Sequence, residues 1–311
     1  MNAHSPQLPS PFHIGEQEAQ SRAGSRDRTE MIGQRAIRSF MPDQHRAFFE
    51  HIPFVVLGSV DQDGWPWASI IAGGSGFMTS PSETSLEINA LPVQHDPVGM
   101  SLATGAPVGL LGIELGTRRR NRMNSNVAAI SSGGIKLDVV QSFGNCPKYI
   151  QTYDIAFQRD PKAAVQLRSD TFDQLDQATR AFIKQSDTFF VASHASNDGV
   201  DVSHRGGKAG FVDVEGNTLT IPDYAGNNFF NTIGNFLETP KAGLLFPDFE
   251  TGDLLMLTGN IEMLWEDHPE VKSKEGVARA WRFTLDHGIR IHDALPFRAE
   301  FKEYSPYSLK P

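Results

Sequence analysis

Ser203, His204, Arg205, Gly206 and Gly207 stand in a row and are followed by Lys208. A guanidinium offers a fork of donors for an anion, and glycines admit close backbone approach to a ligand, so this stretch suits phosphate binding. A second polar group lies at 227–235, where Asn227, Asn228, Asn231, Thr232 and Asn235 open a predicted helix, "NFFNTIGNFLE". Helix starts carry free N–H groups and a partial positive charge. With an arginine from a neighbouring strand, such a start forms a phosphate cradle. A third feature is "TRRRNRMNS" at 117–125. On a strand, alternate side chains leave opposite faces, which predicts Arg118, Arg120 and Arg122 on one face and Arg119 on the other. Lys148 and Tyr149 are ligand or interface candidates. Cys146 fits a buried inert thiol better than a redox centre, because the chain has no second cysteine to resolve an oxidised form. The residues alone also allow a plainer reading: asparagines as caps and turn formers, Arg205 as a surface charge, and the arginine run as a basic edge that blocks strand addition.

The elements that must position these residues repeat. A polar arm is expected over residues 1–28, a helix from Arg28 to Phe40 and a second helix in "PDQHRAFFEHI" behind Pro42. "FVVLGSV", "WPWASIIAG", "SLEIN" and "VGLLGIEL" then read as strands separated by turns such as "DQDG". After a helix in "TFDQLDQATRAFIKQ" the same texture returns with "TFFVASH", a turn at "SNDG", "LTIP" and "AGLLFPDF". Sliding 47–127 against 181–261 gives 13 identities without gaps; chance gives about 5. They include Ser69/Ser203, Gly73/Gly207, Gly76/Gly210, Phe77/Phe211, Thr84/Thr218 and Gly109/Gly243. Ile70 and Ile71 stand where the second copy has His204 and Arg205. Shared residues are assigned to the fold, and residues polar in one copy only are assigned to function. We expect an internal duplication of one β-rich unit, with an N-terminal arm and helix at 1–41, a first unit at 42–165 and a second at 166–311.

The formal net charge of −9 argues against a general affinity for nucleic acid or anionic membrane. Neither a signal-peptide core nor an apolar run of membrane-spanning length is found, so a soluble cytoplasmic protein is expected. The chain contains no P-loop, G-x-G-x-x-G, H-E-x-x-H, zinc spacing or G-x-S-x-G. No metal is expected. His287 and His292 are five apart on a strand-like stretch and point to opposite faces.

Taken together, "GSVDQDGWPWAS", "TRRRNRMN", "FGNCPKYI", "VSHRGGKAGF", "IPDYAGNNFFNTIGN" and "ALPFRAEF" resemble the pyridoxamine 5′-phosphate oxidase-like FMN-binding split-barrel family, in its branch with two tandem units. The resemblance implies a mainly β fold with flanking helices: two antiparallel split β-barrels of Greek-key type, with FMN between them. It implies a phosphate held by Arg205 and the helix start at Asn231 and Thr232. Single-barrel oxidases carry an arginine-lysine pair at those last two positions, so this chain has less charge there. The cofactor-site expectation therefore comprises Ser203, His204, Arg205, Gly206, Gly207, Asn228, Asn231, Thr232, Asn235, Arg120, Arg122 and Lys148, with Arg205 ahead of His204 because adjacent strand residues point apart. No catalytic side chain is assigned. The function expected is an FMN-dependent oxidoreductase acting on a small molecule, with NAD(P)H or a reductase as electron source, in a homodimer. The alternative is a non-catalytic flavin or tetrapyrrole binder or sensor.

Overall fold

The computed structural model describes residues 9–196, 199–273 and 276–308. The first eight residues of the expected arm, and Asn197 and Asp198 of the expected turn, lie outside them. Three helices come first, α1 (Ile14–Arg22), α2 (Arg26–Ala36) and α3 (Asp43–His51). The first sheet follows, built from β1 (Phe54–Val60), β2 (Pro66–Ala72), β3 (Met78–Ser82), β4 (Ser85–Ile88), helix α4 (Pro97–Ser101), β5 (Pro107–Glu114), β6 (Arg119–Ser131) and β7 (Gly134–Asn145). β8 (Thr152–Phe157) and β9 (Ser169–Phe172) lead to α5 (Gln177–Gln185). The second sheet has β10 (Thr188–Ala195), β11 (Gly199–Gly206), β12 (Asp213–Glu215), β13 (Thr218–Tyr224), helix α6 (Asn231–Glu238), β14 (Lys241–Pro247), β15 (Leu254–Leu264), helix α7 (Pro269–Lys272) and β16 (Val277–Ile291). The last strand is β17 (Phe297–Glu303), which pairs with β8.

The strand order of the first sheet is β2-β1-β5-β6-β7-β4-β3, and the main path of the second is β11-β10-β14-β15-β16-β13-β12, with β9 added as an eighth strand on β16. Position for position, these are the same topology. The register repeats as well: Val56 faces Ile70 and Leu111 faces Arg122, while 134 residues on Phe190 faces His204 and Leu245 faces Met256. One sequence match does not survive. Ser85, not Thr84, occupies the place of Thr218, because Ser85 pairs with Asp138 as Thr218 pairs with Thr284 at the start of its strand. Each sheet is an open path among the described residues, with β2 and β3, or β11 and β12, as its ends, so neither closes into the expected barrel.

The continuous apolar run of β1 follows from its place. It is buried along nearly its whole length, in a core that also takes Phe190, Val202, Leu245 and Met256 of the second sheet. The sheets meet symmetrically through bare glycines. A Cβ on Gly109 would lie 2.8 Å from the Val200 carbonyl oxygen, and one on Gly243 would lie 2.4 Å from that of Pro66. Gly73 and Gly207 recur for a different reason. In each the missing Cβ makes room for the ring four residues on, Phe77 or Phe211.

The N-terminal segment departs from the expectation of a surface arm. From Ile14 it is helical and docks on α6, with Gly15 against the Gly234 carbonyl and the Gln20 amide donating to the Phe229 carbonyl at 3.1 Å. Two glycines let the helix backbones touch, a signal that needs both partners to be read. The next helix ends at Ala36 rather than Phe40, because Arg38 leaves it to form a two-bond bridge with Ser142.

Candidate functional site

Most of the expected residues converge. Ser203, His204, Arg205, Gly206, Asn228, Asn231, Thr232, Arg120, Arg122 and Lys148 line one cavity between the two sheets. Gly207 and Asn235 do not. The Gly207 N–H donates to Asp187 and its carbonyl accepts from Gln151, and Asn235 donates to Ser193 at 3.0 Å. Gly206 lines the cavity, yet its bareness serves packing, since a Cβ there would lie 2.1 Å from the Tyr149 carbonyl oxygen.

The arginine run splits three ways. Arg118 lies in the left-handed region (φ 60°) just before β6, so it falls out of the strand alternation and binds the Ile150 carbonyl and Glu303. Arg119 crosses to the other face, donates to the Gln44 carbonyl and covers the Phe48 ring. Arg120 and Arg122 enter the cavity. The strand is interior to its sheet, which removes the basic-edge reading. Arg120 donates to the Cys146 carbonyl at 2.9 Å, and the half-buried Cys146 itself lines the cavity instead of being sealed in the core. Arg122 donates to Asn231 at 2.7 Å and faces Asp201 at 3.1 Å.

His204 and Arg205 both reach the cavity, contrary to the simple alternation. His204 is buried against Phe190, while Arg205, one residue before the strand ends at Gly206, extends its longer side chain to Asp223 at 2.5 Å. Burial, and after it the charges of Arg120 and Arg205, hold the His204 imidazole well below its usual range. It is therefore neutral at pH 7. Its Nδ1 faces the Arg120 guanidinium at 3.3 Å and must accept, which leaves the proton on Nε2. That Nε2–H has no partner, and neither do the Nε–H groups of Arg122 and Arg205.

Two more charged residues line the cavity, Asp223 and Arg279, which sequence reading did not single out. Asp223 bridges Arg205 and Arg279, the latter at 3.5 Å. In all, Arg120, Arg122, Lys148, Arg205 and Arg279 face the cavity against the single carboxylate of Asp223. The start of α6 also lines it, through Asn231, Thr232 and Ile233. Ser203 Oγ bonds Thr232 Oγ1 at 2.7 Å, and the first helical bond runs from Gly234 N to Phe230 O. The N–H groups of Asn231, Thr232 and Ile233 thus precede the helical ladder. An excess of cations, three orphan donors and a helix start fit a phosphate-bearing group such as FMN.

Glu16, from α1, was missed because its role depends on the docking of that helix. Its side chain accepts from Asn231 Nδ2 and from the His13 N–H. Burial outweighs these contacts and raises its carboxyl to about 7. The unfolded chain ionises near 4.5 while the fold still holds the proton. Stability should accordingly fall by about 3 kcal/mol as pH rises from about 4.5 to 7. Glu16→Gln should flatten this slope in denaturant midpoints taken between pH 5 and 8, and an unchanged slope would contradict it.

Among the described residues no helix is long and apolar enough to cross a membrane, and no group of three metal-ligating side chains is found. No curated protein matches the chain. Similar solved structures include HupZ of Group A Streptococcus, 11% identical over 35% of this chain and 88% of that one, with a TM-score of 0.30. General stress protein 26 of Bacillus anthracis is 13% identical over 37% and 91%, with a TM-score of 0.27. A protein of Clostridium acetobutylicum related to general stress protein 26, of the pyridoxinephosphate oxidase family, is 16% identical over 40% and 92%, also at 0.27. Residues 175–287, which supply Ser203, His204, Arg205 and the start of α6, match the pyridoxamine 5′-phosphate oxidase family model, the family that the sequence motifs resemble.

Proposed function

We propose that the chain is an FMN-dependent oxidoreductase acting on a small molecule, built by duplication of one β unit and holding its cofactor between the copies. The carrying observation is the cavity's five cations against one carboxylate, with the helix start of α6 in its lining. Arg120 and Arg122 from the first unit and Arg205 with the α6 start from the second would hold the phosphate. Bound there, the isoalloxazine supplies the hydride or electron chemistry. The neutral His204, with Nδ1 accepting from Arg120, would offer its Nε2–H as a fixed donor toward charge that develops nearby. Both walls of the cavity come from one chain, so a second copy is not required to complete it.

The purified protein should be yellow, with a flavin spectrum, or should take up added FMN. A colourless protein that binds none would end this reading. Steady-state oxidation of NAD(P)H by the loaded protein separates an enzyme from a carrier or sensor. Arg205→Ala should weaken FMN binding about 10–100-fold, the worth of a charge-assisted contact. Ile71→Ala, at the equivalent place in the first copy, should instead cost about 2–4 kcal/mol of stability through an unfilled core. Equal loss of FMN affinity in both would refute the assigned asymmetry.

A further inference from the structure

A duplicated unit packed about a local two-fold should present the interface cavity twice. The registers identify the counterpart. At an offset of 134, Arg120 and Arg122 of β6 correspond to Leu254 and Met256 of β15, and His204 and Arg205 correspond to Ile70 and Ile71. Phe143 faces Arg122 as Ile289 faces Met256, and counting on from there sets Lys148 and Tyr149 against Ala294 and Leu295. A counterpart cavity does exist, lined by Ile70, Ala72, Phe77, Val93, Ala294 and Leu295 among others. The four cations compared, Arg120, Arg122, Arg205 and Lys148, all have apolar counterparts. Leu254, Met256, Ile70 and Ile71 are all buried in the same hydrophobic core. The segment joining the two units also lines the counterpart, through Arg159, Pro161, Lys162, Ala163, Val165 and Leu167.

Where the functional cavity has its cation cluster the counterpart is apolar; of the counterpart's own two cations, Arg159 is paired with Asp293 at 3.0 Å and Lys162 is exposed. A dianion taken from water needs paired charge or several donors in return. We propose that each chain carries one anion-holding cofactor site, and that its symmetry mate has lost the cation cluster to apolar residues and is lined instead by the inter-unit segment at 159–167. The chain is thus a fused pair in which one of two equivalent sites was surrendered to stability. This rests on the FMN reading for the identity of the ligand, but not for the number of sites.

The test is a count. The full-length protein is saturated with FMN, freed of excess by gel filtration, and the acid-released flavin is measured against protein from amino-acid analysis. One flavin per chain is expected, and a ratio near two overturns the proposal. The variant Arg120→Leu/Arg122→Met gives the functional cavity the counterpart's own residues. It should fall below a tenth of an equivalent while keeping the parent's elution volume and circular dichroism; a retained equivalent would reveal a second site. Should that variant not fold, Ala72→Asp answers the same question from the other side. It sets a negative charge in the counterpart alone and should leave the ratio at one with unchanged affinity, and a fallen ratio would overturn the proposal. A parent that binds no flavin refutes the FMN reading instead. Equilibrium dialysis with inorganic pyrophosphate then counts anion sites directly, with one expected and two or none overturning the proposal.

Discussion

Arg122→Met should lower stability by about 3 kcal/mol and abolish useful affinity for a phosphate-bearing ligand. The side chain is buried, faces Asp201 at 3.1 Å and donates to Asn231 at 2.7 Å. Removing one partner of a buried ion pair leaves the other uncompensated, which costs about 3–5 kcal/mol. Burial already raises the Asp201 carboxyl, so proton uptake by Asp201 limits the cost toward the lower end of that range. Adding Asp201→Asn removes the stranded charge. The double variant should regain at least half of the lost stability in urea denaturation. On the proposed reading its FMN affinity should stay at least 100-fold below that of the parent, because the lost guanidinium lines the cavity as well as facing Asp201. Recovery of affinity along with stability would show that Arg122 acts only through the fold.

Gly243→Ala should destabilise by about 3 kcal/mol, an unusually large effect for one methyl group. The new Cβ would stand 2.4 Å from the Pro66 carbonyl oxygen and 2.7 Å from Trp67 Cα. Both are backbone atoms of β2, which is held in its sheet by pairing along its whole length with β1. No side chain can swing away, so β14 and β2 must separate and the core between the sheets must loosen. Gly109→Ala meets the same obstacle from Val200 and Asp201, and should show a smaller loss because its closest approach is 2.8 Å. Thermal unfolding of the two variants gives the comparison. A loss under about 0.5 kcal/mol at Gly243 would mean that the sheets are not in this close contact.

How much of this was legible beforehand differs by residue. The likeness of the two sheets was readable because one residue type at one spacing has one physical cause in each. Gly73 and Gly207 admit a phenylalanine ring, Gly109 and Gly243 admit a neighbouring strand, and Ser69 and Ser203 tie a strand to the next helix through Asp96 or Thr232. The polarised positions of the second copy were readable by difference against the first. Local pattern also placed most strands, since buried apolar runs between turn residues have few other uses.

What the sequence by itself determined is therefore the recurring β pattern and the set of residues charged at only one of two matched places. The tertiary structure decided which of those charges meet. Arg118 and Arg122 look alike in "TRRRNR", but a left-handed turn residue sends the first toward Glu303 while the strand carries the second to Asp201 and Asn231. Glu16 and Arg279 join the neighbourhood only because α1 docks on α6 and β16 runs beside β13. Such contacts span large sequence separations, between Glu16 and Asn231 for example, and no local periodicity encodes them. They arise when two sheets bury their apolar faces against each other and bring distant polar residues to one seam, where low dielectric makes every charge matter.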